Sequence, residues 1–185
     1  MSQEGKHYRL YLDTCALHGL ALCQPWAENQ TPDFSPYKLG VHLYQDYIAL
    51  YDMFRVFQTS PAELVFSDLT LEEISYIPQK SDKYRYSLTY IDELLEWMQK
   101  VFGSSPICYS DRRREVSQVI GDLKLDVFPD QNDRIHLSLA ILSGCNFFVT
   151  VDYKTIIRYR GDASCLPIAI VRPIEYCMGR SMPEP

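Results

Sequence analysis

Apolar and polar positions follow two rhythms along this chain, and each rhythm predicts its own elements. The run Tyr8-Arg9-Leu10-Tyr11-Leu12 is aromatic and branched and breaks at Asp13-Thr14, which predicts a first strand ending on a polar pair. Glu63 to Ser67 predicts a second strand, Phe147 to Val151 a third and Ile168 to Val171 a last one, with Ile107-Cys108-Tyr109 as a further short piece. The third lacks polar alternation, the pattern of a strand buried on both faces.

The second rhythm is helical. Val41 to Phe57 sets Leu43, Tyr47, Leu50, Tyr51, Phe54 and Phe57 at helical spacing, which favours a core-packed helix over a base-stacking or partner-binding surface. A helix from Asp68 carries its cap at Asp68 or Thr70. A longer one is predicted over Tyr84 to Phe102, with Leu88, Ile91, Leu95 and Met98 on its apolar side and a stop at Gly103. Arg112 to Ile120 predicts a short helix, and Asp130 to Gly144 one with an Asn cap and a Gly stop.

Strands alternating with helices imply an α/β fold with a mostly parallel sheet covered on both faces. Gln24 to Gly40 holds three prolines and no period, so it reads as a long loop or flap. At 185 residues the chain has room for about one domain, placed at 1–176, with an inserted loop and helix at about 18–60 and a loose tail over 177–185.

Composition narrows the function. With 46% apolar and 23% charged residues the chain is neither disordered nor fibrous. Its net charge of −6 means that any nucleic acid must dock on a local basic patch. Six cysteines without a C-x-x-C pair predict buried free thiols, hence a cytoplasmic protein. The start lacks the apolar core of a secretion signal, and no run reaches the roughly 20 apolar residues of a membrane span.

Two predicted strands stop at or near an aspartate, Asp13 and Asp152. In an open α/β sheet both project into the crevice beyond the strand ends. Asp133 opens the helix before the Asp152 strand, and Glu73 lies early in the helix after the second strand. Four carboxylates gathered at one edge repel one another unless a cation sits among them. Oxygen-only ligands suit Mg²⁺ or Mn²⁺, which activates water and neutralises a phosphoryl oxygen. The plain alternative makes Asp13 a turn residue, Asp133 a cap and Glu73 a solvated charge.

The pieces L-D-T (12–14), S-D-L-T-L-E-E-I (67–74), N-D-R-I-H-L-S-L-A-I-L-S-G-C (132–145), F-V-T-V-D (148–152) and V-R-P-I-E-Y (171–176), in that order, resemble the PIN-domain family. The resemblance covers most of the chain except Ala16 to Ser60. It implies a three-layer α/β/α sandwich with a mostly parallel central sheet, and a Mg²⁺- or Mn²⁺-dependent ribonuclease, many members being VapC-type toxins. The family's acids fall on Asp13, Glu73 (rather than Glu72), Asp133 and Asp152, and its steadying hydroxyls on Thr14 and Thr150, read as donors to the carboxylates.

Arg112-Arg113-Arg114 reads either as a contact to an RNA backbone or as a solvated charge run. The resemblance implies single-stranded or structured RNA as the partner, with an antitoxin protein and a second copy of the chain as further candidates and no membrane. His136, one turn after Asp133, reads as a hydrogen-bonded core histidine outside the metal set, and Asp130 as turn chemistry. A haloacid-dehalogenase-type phosphotransferase needs a second aspartate where Cys15 stands. The C-x5-R spacing of Cys108 and Arg114 has no glycine between to cradle a phosphate. The alternative from another class is a catalytically silent PIN-like scaffold that binds RNA or protein.

Overall fold

The structure is a computed structural model that describes residues 8–23, 40–59, 62–75, 92–93, 95–96, 99, 106–163 and 165–181. The loop expected over Gln24 to Gly40 (Gly40 apart), most of the helix expected over Tyr84 to Phe102, and residues 182–185 lie outside that set.

Four strands, β1 (Arg9–Leu12), β2 (Glu63–Val65), β3 (Phe147–Val149) and β4 (Ala169–Val171), form one sheet in the order β2-β1-β3-β4, with every pairing parallel. The expected Ile107 strand is a single parallel bridge to Ser67. Tyr109 instead opens a helix, its N–H held by Asp68 Oδ1 at 2.9 Å.

Alternation along the strands sorts side chains between two cores. Leu10, Leu12, Leu64, Phe66 and Val149 join one cluster with α1 (Thr14–Cys23), α2 (Val41–Thr59) and α6 (Pro173–Ser181). Tyr11, Val65 and Phe148 join the other with α4 (Tyr109–Asp122) and α5 (Gln131–Leu142). The short α3 (Asp68–Ser75) sends Ile74 to the first cluster and Leu69 to the second. On α2, Tyr47, Leu50, Tyr51 and Phe54 are buried, so this stripe is core.

Three expectations are corrected. The tail expected to be loose from residue 177 is helical to Ser181, because Tyr176 and Cys177 pack with the buried side of α2. The cap of α5 is Asp130, whose Oδ1 accepts the N–H groups of Asn132 at 2.7 Å and Asp133 at 3.4 Å, leaving Asn132 inside the first turn. All six cysteines are free, but only Cys23 and Cys145 are buried, and Cys15 and Cys165 are exposed.

Gly144, at φ +66°, ends α5 in the left-handed conformation and turns the chain into β3, which fixes the spacing between Asp133 and the end of that strand. Gly144→Ala should therefore lower stability by about 1–2 kcal/mol. Gly121→Ala, where an added methyl meets nothing within 4 Å, should raise it by about 0.5 kcal/mol. Urea melts of both variants check the pair, and shifts of the same sign would refute this account of the turn.

Candidate functional site

Parallel strands deliver their carboxyl ends to one edge. The chain leaves β1 for β2 on one side and β3 for β4 on the other, so the β1/β3 junction is the switch point where a crevice opens. Asp13 and Asp152 follow these two strands. The Asp13 N–H donates to Val149 O at 3.1 Å, extending the ladder and setting its carboxylate beside Thr150. Thr150 Oγ1 donates to Asp13 Oδ2 at 2.7 Å and accepts the Asp152 N–H at 2.9 Å, so one hydroxyl spaces the two acids.

Asp13 is 4% exposed. Burial pushes its carboxyl up, the neighbouring His136 and the Thr150 bond oppose that, and the charges of Glu73 and Asp152 add to it. Asp152 caps the π-helical turn Tyr153–Ile157, with Oδ1 accepting from the N–H of Lys154 at 2.7 Å and of Thr155 at 2.9 Å.

Glu73 reaches the same edge from α3. Its Oε2 accepts from Thr14 Oγ1 and lies 3.2 Å from His136 Nε2, and its Oε1 accepts from Asn132 Nδ2 at 3.0 Å. Burial raises this carboxyl, but the His136 bond and charge with the Thr14 and Asn132 bonds outweigh it, leaving Glu73 below its ordinary value. Glu72 beside it is exposed.

His136 is 1% exposed, with Nδ1 2.7 Å from Tyr11 Oη, which is itself hydrogen-bonded to Ser67 Oγ at 2.8 Å. Its two ring nitrogens are thus both engaged, Nε2 by Glu73 and Nδ1 by the Tyr11 hydroxyl. A buried polar chain thus runs from the core to Glu73, and His136 is the hydrogen-bonded core histidine expected.

Asp133, in the first turn of α5, has a buried Oδ2 without a hydrogen-bond partner. Burial pushes its carboxyl up to about 7, with Thr155 opposing and Asp13, Asp130 and Asp152 contributing. The Thr150 hydroxyl joins Asp13 to Asp152, and Glu73 is bonded by Thr14, next to Asp13, and by Asn132, next to Asp133. The four acids therefore share one neighbourhood. Among the described residues, neither Lys nor Arg forms an ion pair with any of them; His136 with Glu73 is the one contact of that kind.

Also among the described residues, no three His, Cys, Asp or Glu side chains form a group that would hold one metal ion together. The donor set nevertheless fits a hard divalent cation in kind. It is all oxygen, Asp133 Oδ2 is buried without a partner, and Mg²⁺ commonly takes one or two protein carboxylates and keeps several waters.

The arginine run stands elsewhere. Arg112 Nη1 donates to Leu142 O at 3.3 Å, at the far end of α5 from Asp133, about 13 Å away at 1.5 Å per helical residue. Arg113 stacks over Tyr109, its guanidinium carbon 5.5 Å from the ring centroid.

Sequence reasoning missed Asn132 as a donor to Glu73, having read it as a cap. It also missed Asp46, fully buried on α2, which accepts from Tyr153 Oη at 2.6 Å, Arg172 Nε at 3.1 Å and Ile174 N at 3.4 Å. An acid between Leu43 and Leu50 on an apolar stripe was the available signal. Compared with known protein families and with curated proteins, the chain matches none.

Asp133 gives a pH test. Its folded value lies above its unfolded one, so the native state holds the extra proton and stability falls as pH rises from about 4 to about 7. The carboxyl is partly solvated, so the loss is discounted to on the order of 1–2 kcal/mol. In EDTA the Asp133→Asn variant should show that much less fall between pH 5 and pH 7.5 than the wild type. Parallel pH profiles of the two proteins would disprove this assignment.

Proposed function

We propose that this protein is a PIN-like, metal-dependent ribonuclease that hydrolyses RNA phosphodiester bonds in a three-layer α/β/α domain. Side chains from both faces of the parallel sheet, entering two separate cores, support the layered reading. The observation that carries the function is the convergence of Asp13, Glu73, Asp133 and Asp152 at the switch point with no Lys or Arg paired to them among the described residues.

Asp13, Asp133 and Asp152 would hold Mg²⁺ or Mn²⁺, with Glu73 completing the set directly or through water. Bound there, such an ion supplies an activated water and a counter-charge for the phosphoryl oxygens. The chain's own residues do the positioning. Thr150 holds Asp13 and the Asp152 backbone at a fixed separation, and Asp130 orders the turn that carries Asp133. His136, Thr14 and Asn132 keep Glu73 ionised and aimed at the edge, so its carboxylate can orient the attacking water or accept its proton.

Single-stranded or structured RNA is the proposed substrate, and an antitoxin protein or a second copy of the chain would be its protein partners. A second reading, a silent scaffold for RNA or protein, is favoured by one observation: no metal-holding group of three side chains occurs among the described residues.

Asp13→Asn should remove Mg²⁺-dependent cleavage of single-stranded RNA, a loss of about 10²-fold or more, while leaving the circular dichroism unchanged. Cleavage at the wild-type rate would sink the assignment. On α3, Glu73→Gln should cost activity while Glu72→Gln does not, since adjacent helical residues point about 100° apart; equal losses would remove Glu73 from the site. Mn²⁺ at about 100 times its dissociation constant should add roughly 2.7 kcal/mol to stability. Thermal melts should show that gain vanish in the Asp13→Asn, Asp152→Asn double variant, and a retained gain would mean the ion binds elsewhere.

A further inference from the structure

Beside the acid cluster lies a cleft of about 310 Å³ between α1, α2 and the turn after β3. Leu43 and Tyr47 form its α2 wall, Val151 its floor, and Asp152, Tyr153 and Lys154 its rim toward the acids. Such a volume is at the small end of ligand clefts, roughly 300–1,000 Å³.

Its chemistry is divided. Leu43, Tyr47 and Val151 make one side apolar and aromatic, Cys15 and His18 line it from α1, and the rim carries Asp152 beside Lys154, which among the described residues forms no ion pair. The rim is built rigidly: the Tyr153 hydroxyl donates to buried Asp46 at 2.6 Å, and the Arg172 guanidinium carbon sits 5.0 Å from the Tyr153 ring centroid. An apolar and aromatic wall with a lysine at its rim matches a base joined to a phosphate, and a paired base stacked in a duplex cannot enter such a recess.

We infer that this cleft is the subsite for one unpaired nucleotide flanking the cleaved phosphate, its base against Leu43, Tyr47 and Val151 and its phosphate at Lys154. The inference rests on the ribonuclease reading and deepens it, because it makes α2, part of the segment outside the family resemblance, the element that selects unpaired RNA.

Binding of uridine 5′-monophosphate, adenosine 5′-monophosphate and ribose 5-phosphate to the full chain, measured by calorimetry with Mg²⁺ and with EDTA, tests it apart from cleavage. Both nucleotides should bind about tenfold tighter than ribose 5-phosphate, since a stacked base contributes on the order of 1–3 kcal/mol. Leu43→Trp, which fills the recess, and Lys154→Ala, on the exposed rim, should each weaken binding about tenfold. Unpaired RNA should compete with the nucleotides, and duplex RNA should not.

Equal binding of nucleotides and ribose 5-phosphate, or unchanged binding in folded Lys154→Ala, overturns the subsite. So does nucleotide binding with which unpaired RNA fails to compete, since the cleft would then take free nucleotides. Cleavage by a wild type that binds no nucleotide removes the subsite and leaves the nuclease reading intact. Nucleotide binding without any cleavage removes the nuclease reading and leaves a nucleotide-binding cleft.

Discussion

Mutual repulsion among four carboxylates is the constraint on which the rest of this edge depends. At an effective dielectric of about 20, two like charges 4 Å apart cost about 4 kcal/mol, and a hydroxyl donor recovers about 1 kcal/mol of that. Neutral partners therefore cannot quiet the cluster. Thr150 and Thr14 direct Asp13 and Glu73 without neutralising them. Without a cation, the remaining way to shed charge is to hold a proton, and burial pushes both Asp13 and Asp133 up, Asp133, with its buried unpartnered oxygen, to about 7. On the proposed reading, proton and metal would compete for these carboxyls, and binding of the ion would release the Asp133 proton near neutral pH.

The repulsion is sustained because the scaffold beneath it is over-determined. β1 and β3 are adjacent parallel strands in fixed register, Leu12 opposite Val149, so the residues that follow them have no freedom to separate. On the far side of the crevice, Asp46 gathers Tyr153, Arg172 and the Ile174 N–H, and Arg160 pairs with Glu175 through two bonds at 2.5 and 2.7 Å. Removing one partner of a buried charge pair commonly costs 3–5 kcal/mol, roughly. The Asp152 turn is thereby tied to α2, to the end of β4 and to α6 at once. An inserted helix that touched only its own neighbours would not hold that turn.

What was legible in the sequence follows from where the physics is local. Strands such as Tyr8 to Leu12 and Phe147 to Val151 announce themselves because burial on both faces leaves no polar alternation, and parallel pairing follows from the helices between them. The positions of Asp13 and Asp152 after these strands are equally local. Capping was misread at α5 because Asp130 and Asn132 are both good caps, and the extended backbone at Asp130 (φ −85°, ψ 134°) decides between them. Tyr109 was assigned to a strand since its aromatic ring suits one, yet Asp68, 41 residues earlier, draws its N–H into a helix start. The buried chain from Ser67 through Tyr11 and His136 to Glu73 joins the start of α3, β1, α5 and α3 again, so no window of sequence contains it.

The charge distribution finally decides how a molecule of net charge −6 would hold a polyanion. The arginine run that composition suggested as a docking patch leans on the C-terminal end of α5, and α5 begins at the acids. Among the described residues the arginine run therefore gives the crevice no cation, and each phosphate neutralised by a side chain would contribute only about −0.7 to the salt slope of single-strand binding. Affinity on the proposed reading must come from an ion held by the carboxylates and from base contacts in the α2 cleft, both short-ranged. On that reading, the same acids that would repel RNA at a distance would become its anchor once a divalent cation stood between them and the phosphate.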